Sequence, residues 1–170
     1  LKSRQFTSLL VKARKARKLT QGQACEVIGV ADISTLSDWE RGESIPSMKM
    51  ISKIVEAYSD PMLGYIYLYE CTEVGEQVLP PLPDRTLIRR DDLLSWTMFL
   101  QKEHNDISRV MVDLVEITCD GKIDKHEEAT FNMVLKEIID FLGVGFPLAI
   151  RYFNKRKNPS QDCSLVKGYI

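Results

Sequence analysis

The chain has 170 residues, 44% of them hydrophobic, with 23 Lys and Arg against 24 Asp and Glu for a net charge of -1. That composition suits a folded chain burying a core as one domain or two small ones, and the whole-chain charge lends no support to nucleic-acid binding. No apolar run approaches the roughly 20 residues of a membrane span or the long apolar segment of a signal peptide, and the separation of Cys25, Cys71, Cys119 and Cys163 leaves no close pair for a zinc or redox motif.

Charge is unevenly spread. Positions 1 to 20 hold seven Lys or Arg and no acid, whereas 91 to 144 hold twelve Asp or Glu against five Lys or Arg. A basic end can steer toward phosphates although the sum is near zero, because a ligand meets the local field. The acidic half is expected to stay away from DNA, and reduced thiols in a cytoplasmic protein are the default.

From Phe6 to Lys18 the spacing predicts a first helix with Phe6, Leu9, Leu10, Ala13 and Ala16 on its apolar face and Lys12, Arg14, Lys15, Arg17 and Lys18 around it. Such a charge run is usually a solvated face; its place before the next two helices makes it a candidate for phosphate contact. A second helix is predicted from about Gln21 to Ile28, capped by Thr20 with Gln23 completing a capping box, and Ala24, Cys25 and Ile28 facing inward. Gly29 permits the left-handed backbone that ends it, and Asp32 caps a third helix, Ile33 to about Glu40, anchored by Leu36 and Trp39. Two short helices joined by a tight turn form a helix-turn-helix, whose second helix fits a major groove about 12 Å wide.

Leu19-Thr20-Gln21, Gly29-Val30, Leu36-Ser37, Trp39-Glu40-Arg41-Gly42 and Ile45-Pro46-Ser47 together resemble the Cro and phage-repressor type of helix-turn-helix over roughly positions 6 to 66. The resemblance implies an all-α chain: a lambda-repressor-like N-terminal domain of four or five helices, joined by a Pro-rich linker to a small C-terminal helical domain. Position by position, it implies that Gln21 binds a phosphate through its amide. Ile33, Ser34 and Asp38 would meet base edges, with Thr35, Ser37, Arg17, Lys18 and Arg41 as backbone or supporting contacts. Arg14 would pair with Glu40 to hold the first helix against the third, and Trp39 would pack the interior. The chain departs from the family pattern in one extra residue between Gly29 and Leu36. Its recognition stretch, 31 to 39, also carries Asp32 and Asp38 and no Lys or Arg. Asp can accept from cytosine N4 but repels phosphate.

A fourth helix is expected from about Met48 to Tyr58, with Met50, Ile51, Ile54 and Val55 apolar; Lys49 and Lys53 either approach the DNA backbone or solubilise a surface. Asp60-Pro61 opens a turn or helix, and the tyrosine-rich GYIYLYE reads as a fifth helix or a strand serving core or dimer contact. Leu79-Pro80-Pro81-Leu82-Pro83-Asp84 marks a linker, dividing the chain into 1–75, a linker 76–90, a helical dimerisation or sensing domain 91–157 and a tail 158–170. In the second domain Leu93, Trp96, Leu100, Ile107, Val110, Leu114 and Ile117 suit one long helix or two broken near Asn105. Phe131, Val134, Leu135, Ile138 and Phe141 suit another from Lys125 to Leu142, closed by an apolar 144–150 segment. An apolar stripe left over would suit a dimer seam. Between these helices, Asp120-Gly121-Lys122-Ile123-Asp124 with Glu127 resembles part of a calcium loop, with Glu116 and Thr118 at its first and third positions, where the full motif wants Asp and Asp or Asn; a turn at Gly121, a staple at Ile123 and a cap from Asp124 with Glu127 are an adequate explanation of it. RYFNKRK at 151–157 is a basic patch or a solvated helix end.

No reactive groups converge. His104 and His126 each sit beside acids on predicted helices, and no phosphate loop, nucleophile elbow or Cys/His set occurs, so neither an enzyme nor a cofactor or metal is expected. The leading expectation is a sequence-specific regulator, a dimeric repressor of phage-like type on a palindromic double-stranded DNA operator. Its C-terminal domain is free to meet a protein partner. The alternatives are a helix-turn-helix that binds protein, as in an antitoxin-like accessory factor of a phage or mobile element, and a calcium-responsive helical protein.

Overall fold

The computed structural model describes residues 4–82 and 92–157. Every regular element among them is an α-helix: α1 Arg4–Ala16, α2 Gln21–Ile28, α3 Ile33–Arg41, α4 Met48–Tyr58, α5 Pro61–Cys71, α6 Glu73–Val78, α7 Leu93–Ile117 and α8 Glu128–Lys157. Contacts divide the chain into two compact units, one up to Leu79 together with the residues from Ala149, the other Pro80–Leu148. The tail 158–170 with Cys163 and the linker stretch 83–91 lie outside the described residues.

In the first unit each helix start is set by a local side chain. The Thr20 hydroxyl accepts from Gln23 N while Gln23 Oε1 accepts from Thr20 N, which satisfies donors the helix itself cannot. Asp32 Oδ1 accepts from Ser34 N at 2.9 Å, and these hydrogen bonds hold its carboxyl below the usual range. Ser47 and Asp60 cap α4 and α5 in the same way. At the start of α1 the cap is borrowed from a distant helix: Glu70 Oε2 of α5 accepts from Gln5 N at 3.2 Å and Phe6 N at 2.9 Å, placing negative charge where the helix dipole favours it.

The buried faces explain how these helices pack. Phe6, Leu9, Leu10 and Ala13 of α1 are buried, whereas Ala16, read above as apolar-face, is exposed because the helix ends there and Lys18 turns into the left-handed region at φ 57°. The aromatic run forms a helix, α5, not a strand, since Asp60 and Pro61 give it a helical start and Met62, Leu63, Tyr65, Ile66 and Tyr67 are all buried against α1, α4 and α6. Tyr67 meets Phe6 edge-on at 5.5 Å and donates its hydroxyl to Pro46 O at 2.8 Å, so the tyrosine's polar end is satisfied inside the core. At the corner between α5 and α6, a Cβ on Gly75 would stand 1.7 Å from Leu68 O; only glycine allows the turn to fold this closely. Because α6 runs to Val78, regular structure crosses position 76, where the linker was expected to begin, and the unit boundary falls at Leu79 and Pro80.

The second unit is a helical hairpin. α7 is one unbroken helix through Asn105, with the Asp92 side chain accepting from Ser95 N at 2.6 Å at its start. α8 begins at Glu128, three residues later than predicted, and the expected 144–150 closing segment continues it, with Pro147 inside the helix. The helices are antiparallel: Trp96 near the start of α7 packs with Val144 and Leu148 late in α8, and Phe99 and Leu100 complete this small core. Leu93 and Leu135, read as core positions, are 54% and 37% exposed. In the connecting turn Gly121 takes φ 77°, Asp120 Oδ1 accepts from Lys122 N, and Glu127 Oε2 accepts from Asp124 N at 2.9 Å, so these acids serve turn and cap.

Candidate nucleic-acid interface

The turn between α2 and α3 is built from Gly29, at φ 77°, whose N–H and that of Val30 both return to Cys25 O at 2.9 Å. This closes the last turn of α2 and frees the chain to redirect within three residues. Cys25 itself is buried and its thiol is pushed up by that burial, which makes it a packing residue rather than a nucleophile. The extra residue relative to the family spacing is absorbed in the Val30–Asp32 turn, and α3 starts at Ile33.

Leu36 and Trp39 are 0% and 6% exposed, which fixes the rotation of α3 about its axis. Its opposite side is thereby turned to solvent. Ile33 is 51% exposed and Ser34 is exposed at the helix start; Thr35, Ser37 and Asp38 are half-buried further along. Ile33 leans toward α2, with its Cδ1 3.6 Å from where a Cβ on Gly22 would stand. The glycine leaves room for this side chain to sit over the start of α2.

A polar joint locks α1, α2 and α3 together. Arg14 donates from Nε to Glu40 Oε1 at 2.6 Å and from Nη2 to Glu40 Oε2 at 3.0 Å, while its Nη1 donates to Leu19 O at 2.8 Å. Gln21 Nε2 donates to the same Glu40 Oε2 at 2.9 Å. The side chains of Arg14 and Glu40 are only 10% and 7% exposed, and the hydrogen bond to Glu40 raises the guanidinium pKa further. A planar fork on a carboxylate fixes direction as well as distance, so this joint sets the angle at which α3 is presented. One amide proton of Gln21 is committed to Glu40; a phosphate would be met by the other.

Arg41 lies at the far end of α3 and is held by acids. It donates to Asp38, Glu43 and the Ser37 hydroxyl, a set of contacts that raises its pKa, chiefly through Glu43. Exposed pairs of this kind contribute little because solvent screens them, so a phosphate can compete for the guanidinium. Arg17 Nε donates to Tyr58 O at 2.8 Å at the C-terminal end of α4, giving it a positioning role besides any phosphate contact. Lys18 is exposed. Lys53 of α4 brings its Nζ within 3.5 Å of where a Gly29 Cβ would stand, which sets a cation beside the turn of the motif. Sequence periodicity did not single out three apolar side chains of this region that the structure leaves exposed: Val27 is 58%, Ile45 43% and Met48 55% exposed. Val27 was recognisable as the apolar residue of α2 outside the 24, 25 and 28 set.

Two short helices, a glycine turn and an outward-facing second helix define the class, a helix-turn-helix reader. Residues 10–59 match the Helix-turn-helix family, in the N-terminal region where the Cro-like resemblance lies. No curated protein and no solved structure matches the chain. The family match supports a DNA-binding regulator. No helix among the described residues is long and apolar enough to cross a membrane.

Proposed function

We propose that the protein is a cytoplasmic, sequence-specific transcriptional repressor that binds a palindromic operator as a homodimer and acts by occupying a promoter. The observation that supports this reading best is the orientation of α3. Its core side is fixed by Leu36, Trp39 and the Arg14–Glu40–Gln21 joint, so Ile33, Ser34 and Asp38 are presented outward at fixed angles. Each has a distinct chemistry toward a base edge: Ile33 suits a thymine methyl, Ser34 either a donor or an acceptor, and Asp38 the amino group of cytosine once Arg41 moves to phosphate. The phosphate partners are Gln21, Arg17, Lys18, Arg41 and the backbone amides near Gln21, with Thr35 and Ser37 in support. Binding, not catalysis, is the task, and two such readers on a twofold axis would meet half-sites about one helical turn apart.

The test is selection from a pool of random duplexes at about 50 and 200 mM salt. A palindromic consensus whose affinity falls steeply between the two salts is the expected result. Gln21→Ala should then weaken all duplexes alike, whereas Ser34→Ala and Asp38→Ala should cost about 1–3 kcal/mol on the consensus and relax preference at single positions. Absence of any enrichment from folded protein would overturn the DNA reading in favour of a protein partner on this surface.

A further inference from the structure

Glu43 stands just past the end of α3, and the cap of that helix fixes where it stands. Gly42 takes φ 75°, the left-handed conformation that ends the helix, and the chain folds back so that Glu43 N donates to Asp38 O at 2.9 Å. The backbone of Glu43 is thereby tied to the last turn of α3, and its side chain reaches back to Arg41. The carboxylate meets the guanidinium at two points: Nε donates to Oε1 at 2.8 Å and Nη2 to Oε2 at 3.0 Å. A fork of this kind is also how arginine takes a phosphate. Nη2 further donates to Asp38 Oδ1, and Nη1 to the Ser37 hydroxyl, both at 2.5 Å. Four of the five N–H groups of the guanidinium are thus engaged within the protein.

The setting separates this pair from a bridge that only decorates a surface. Between 31 and 43 Arg41 is the one Lys or Arg, set among Asp32, Asp38, Glu40 and Glu43. Glu40 is taken by Arg14, so the remaining charge of this stretch is negative and its single cation is held by two of the acids. Ser37 and Asp38, the partners of Arg41 on its own helix, are the residues given above to supporting and base contacts, so whatever holds Arg41 also occupies them. The side chain of Glu43 is 59% exposed, which leaves it no part in the core.

We propose that Glu43 limits the affinity of the reader by standing in for a DNA phosphate on Arg41. In the free protein its carboxylate closes the fork, and Arg41 in turn covers one oxygen of Asp38. A phosphate arriving at the end of α3 takes the fork from Glu43; Nη2 then leaves Asp38, whose carboxylate becomes available to a base. Until that exchange occurs, the surface meets DNA with its cation masked and its acids outward, and duplex of any sequence gains less from Arg41 than it would from an uncommitted guanidinium. This role rests on the DNA-binding reading given above and adds to it a residue outside the contact set named there.

The test is a double-mutant cycle of the full chain: wild type, Glu43→Gln, Arg41→Gln and the double variant, each titrated by fluorescence anisotropy with one random-sequence duplex at about 50 and 200 mM salt. Glu43→Gln should bind at least about threefold more tightly than wild type at the lower salt, and should lose a further factor of about 3 to 4 between the two salts, the share of one added phosphate contact. In the Arg41→Gln background the same substitution should change affinity by less than about 1.5-fold, because no fork is left to release. A gain that survives in that background would reduce Glu43 to a long-range charge and overturn the role, as would a Glu43→Gln protein that binds like wild type; in both cases the DNA reading stands. Failure of every variant to bind duplex would overturn the DNA reading itself, and this role with it.

Discussion

Glu40→Ala is expected to destabilise the N-terminal unit by about 3–5 kcal/mol, the usual cost of removing one partner from a buried ion pair. The carboxylate accepts from both sides of the Arg14 fork and from Gln21, so the substitution leaves a guanidinium that is 10% exposed with only Leu19 O of these partners, and strips the Gln21 amide of its acceptor. Arg14→Met combined with Glu40→Leu should cost much less than either single change, because no charge is then left buried and the volume is refilled with apolar atoms. Urea unfolding of the wild type, Arg14→Met, Glu40→Leu and the double variant closes the cycle. A loss below about 1 kcal/mol for Glu40→Ala would place the pair with screened surface bridges and remove the joint from the account of how α3 is held. The double variant also separates stability from function: if it folds but binds operator poorly, the joint matters through the angle of α3 and through Gln21.

The motif was legible because it is made of local signals. Thr20 with Gln23, Gly29, Asp32 and the 36/39 apolar pair each act within four residues, and the caps and left-handed turns they predict are in place. Contacts across sequence were not legible in the same way. Glu70 serves the start of α1 from 64 and 65 residues away, and no periodicity in either segment announces it. The capture of Arg41 by Asp38 and Glu43 was likewise missed, although the repulsive effect of Asp38 on phosphate was plain from composition; the neutralising residue is three positions along, on the same helix. GYIYLYE was ambiguous between helix and strand because its side chains are apolar all round, so burial on most sides erased the period that would have distinguished them.

In the C-terminal half the period predicted helices correctly but not which apolar residues they bury. Leu93 and Leu135 belong to a helical repeat as well as Trp96 and Val134 do, yet the first pair is exposed and the second is 0% exposed. Two apolar stripes on one helix, one for the hairpin and one for the open side, overlap at steps of three and four and read as a single face. Only the antiparallel pairing separates them.

Trp96→Ala should accordingly do more damage than its position near the start of α7 suggests. The side chain is fully buried against Val144, with Phe99, Leu100 and Leu148 around it, and its truncation should cost about 3–5 kcal/mol. A two-helix unit has little else to draw on, so the hairpin itself should open. Hydrogen exchange read by peptide should speed up across 93–117 and 128–148 while α2 and α3 remain protected, because the first unit has its own core around Leu10, Leu36, Ile54 and Ile66. Protection lost equally from α2 and α3 would mean that the two units unfold as one, and the second unit would then be a part of the reader's own stability.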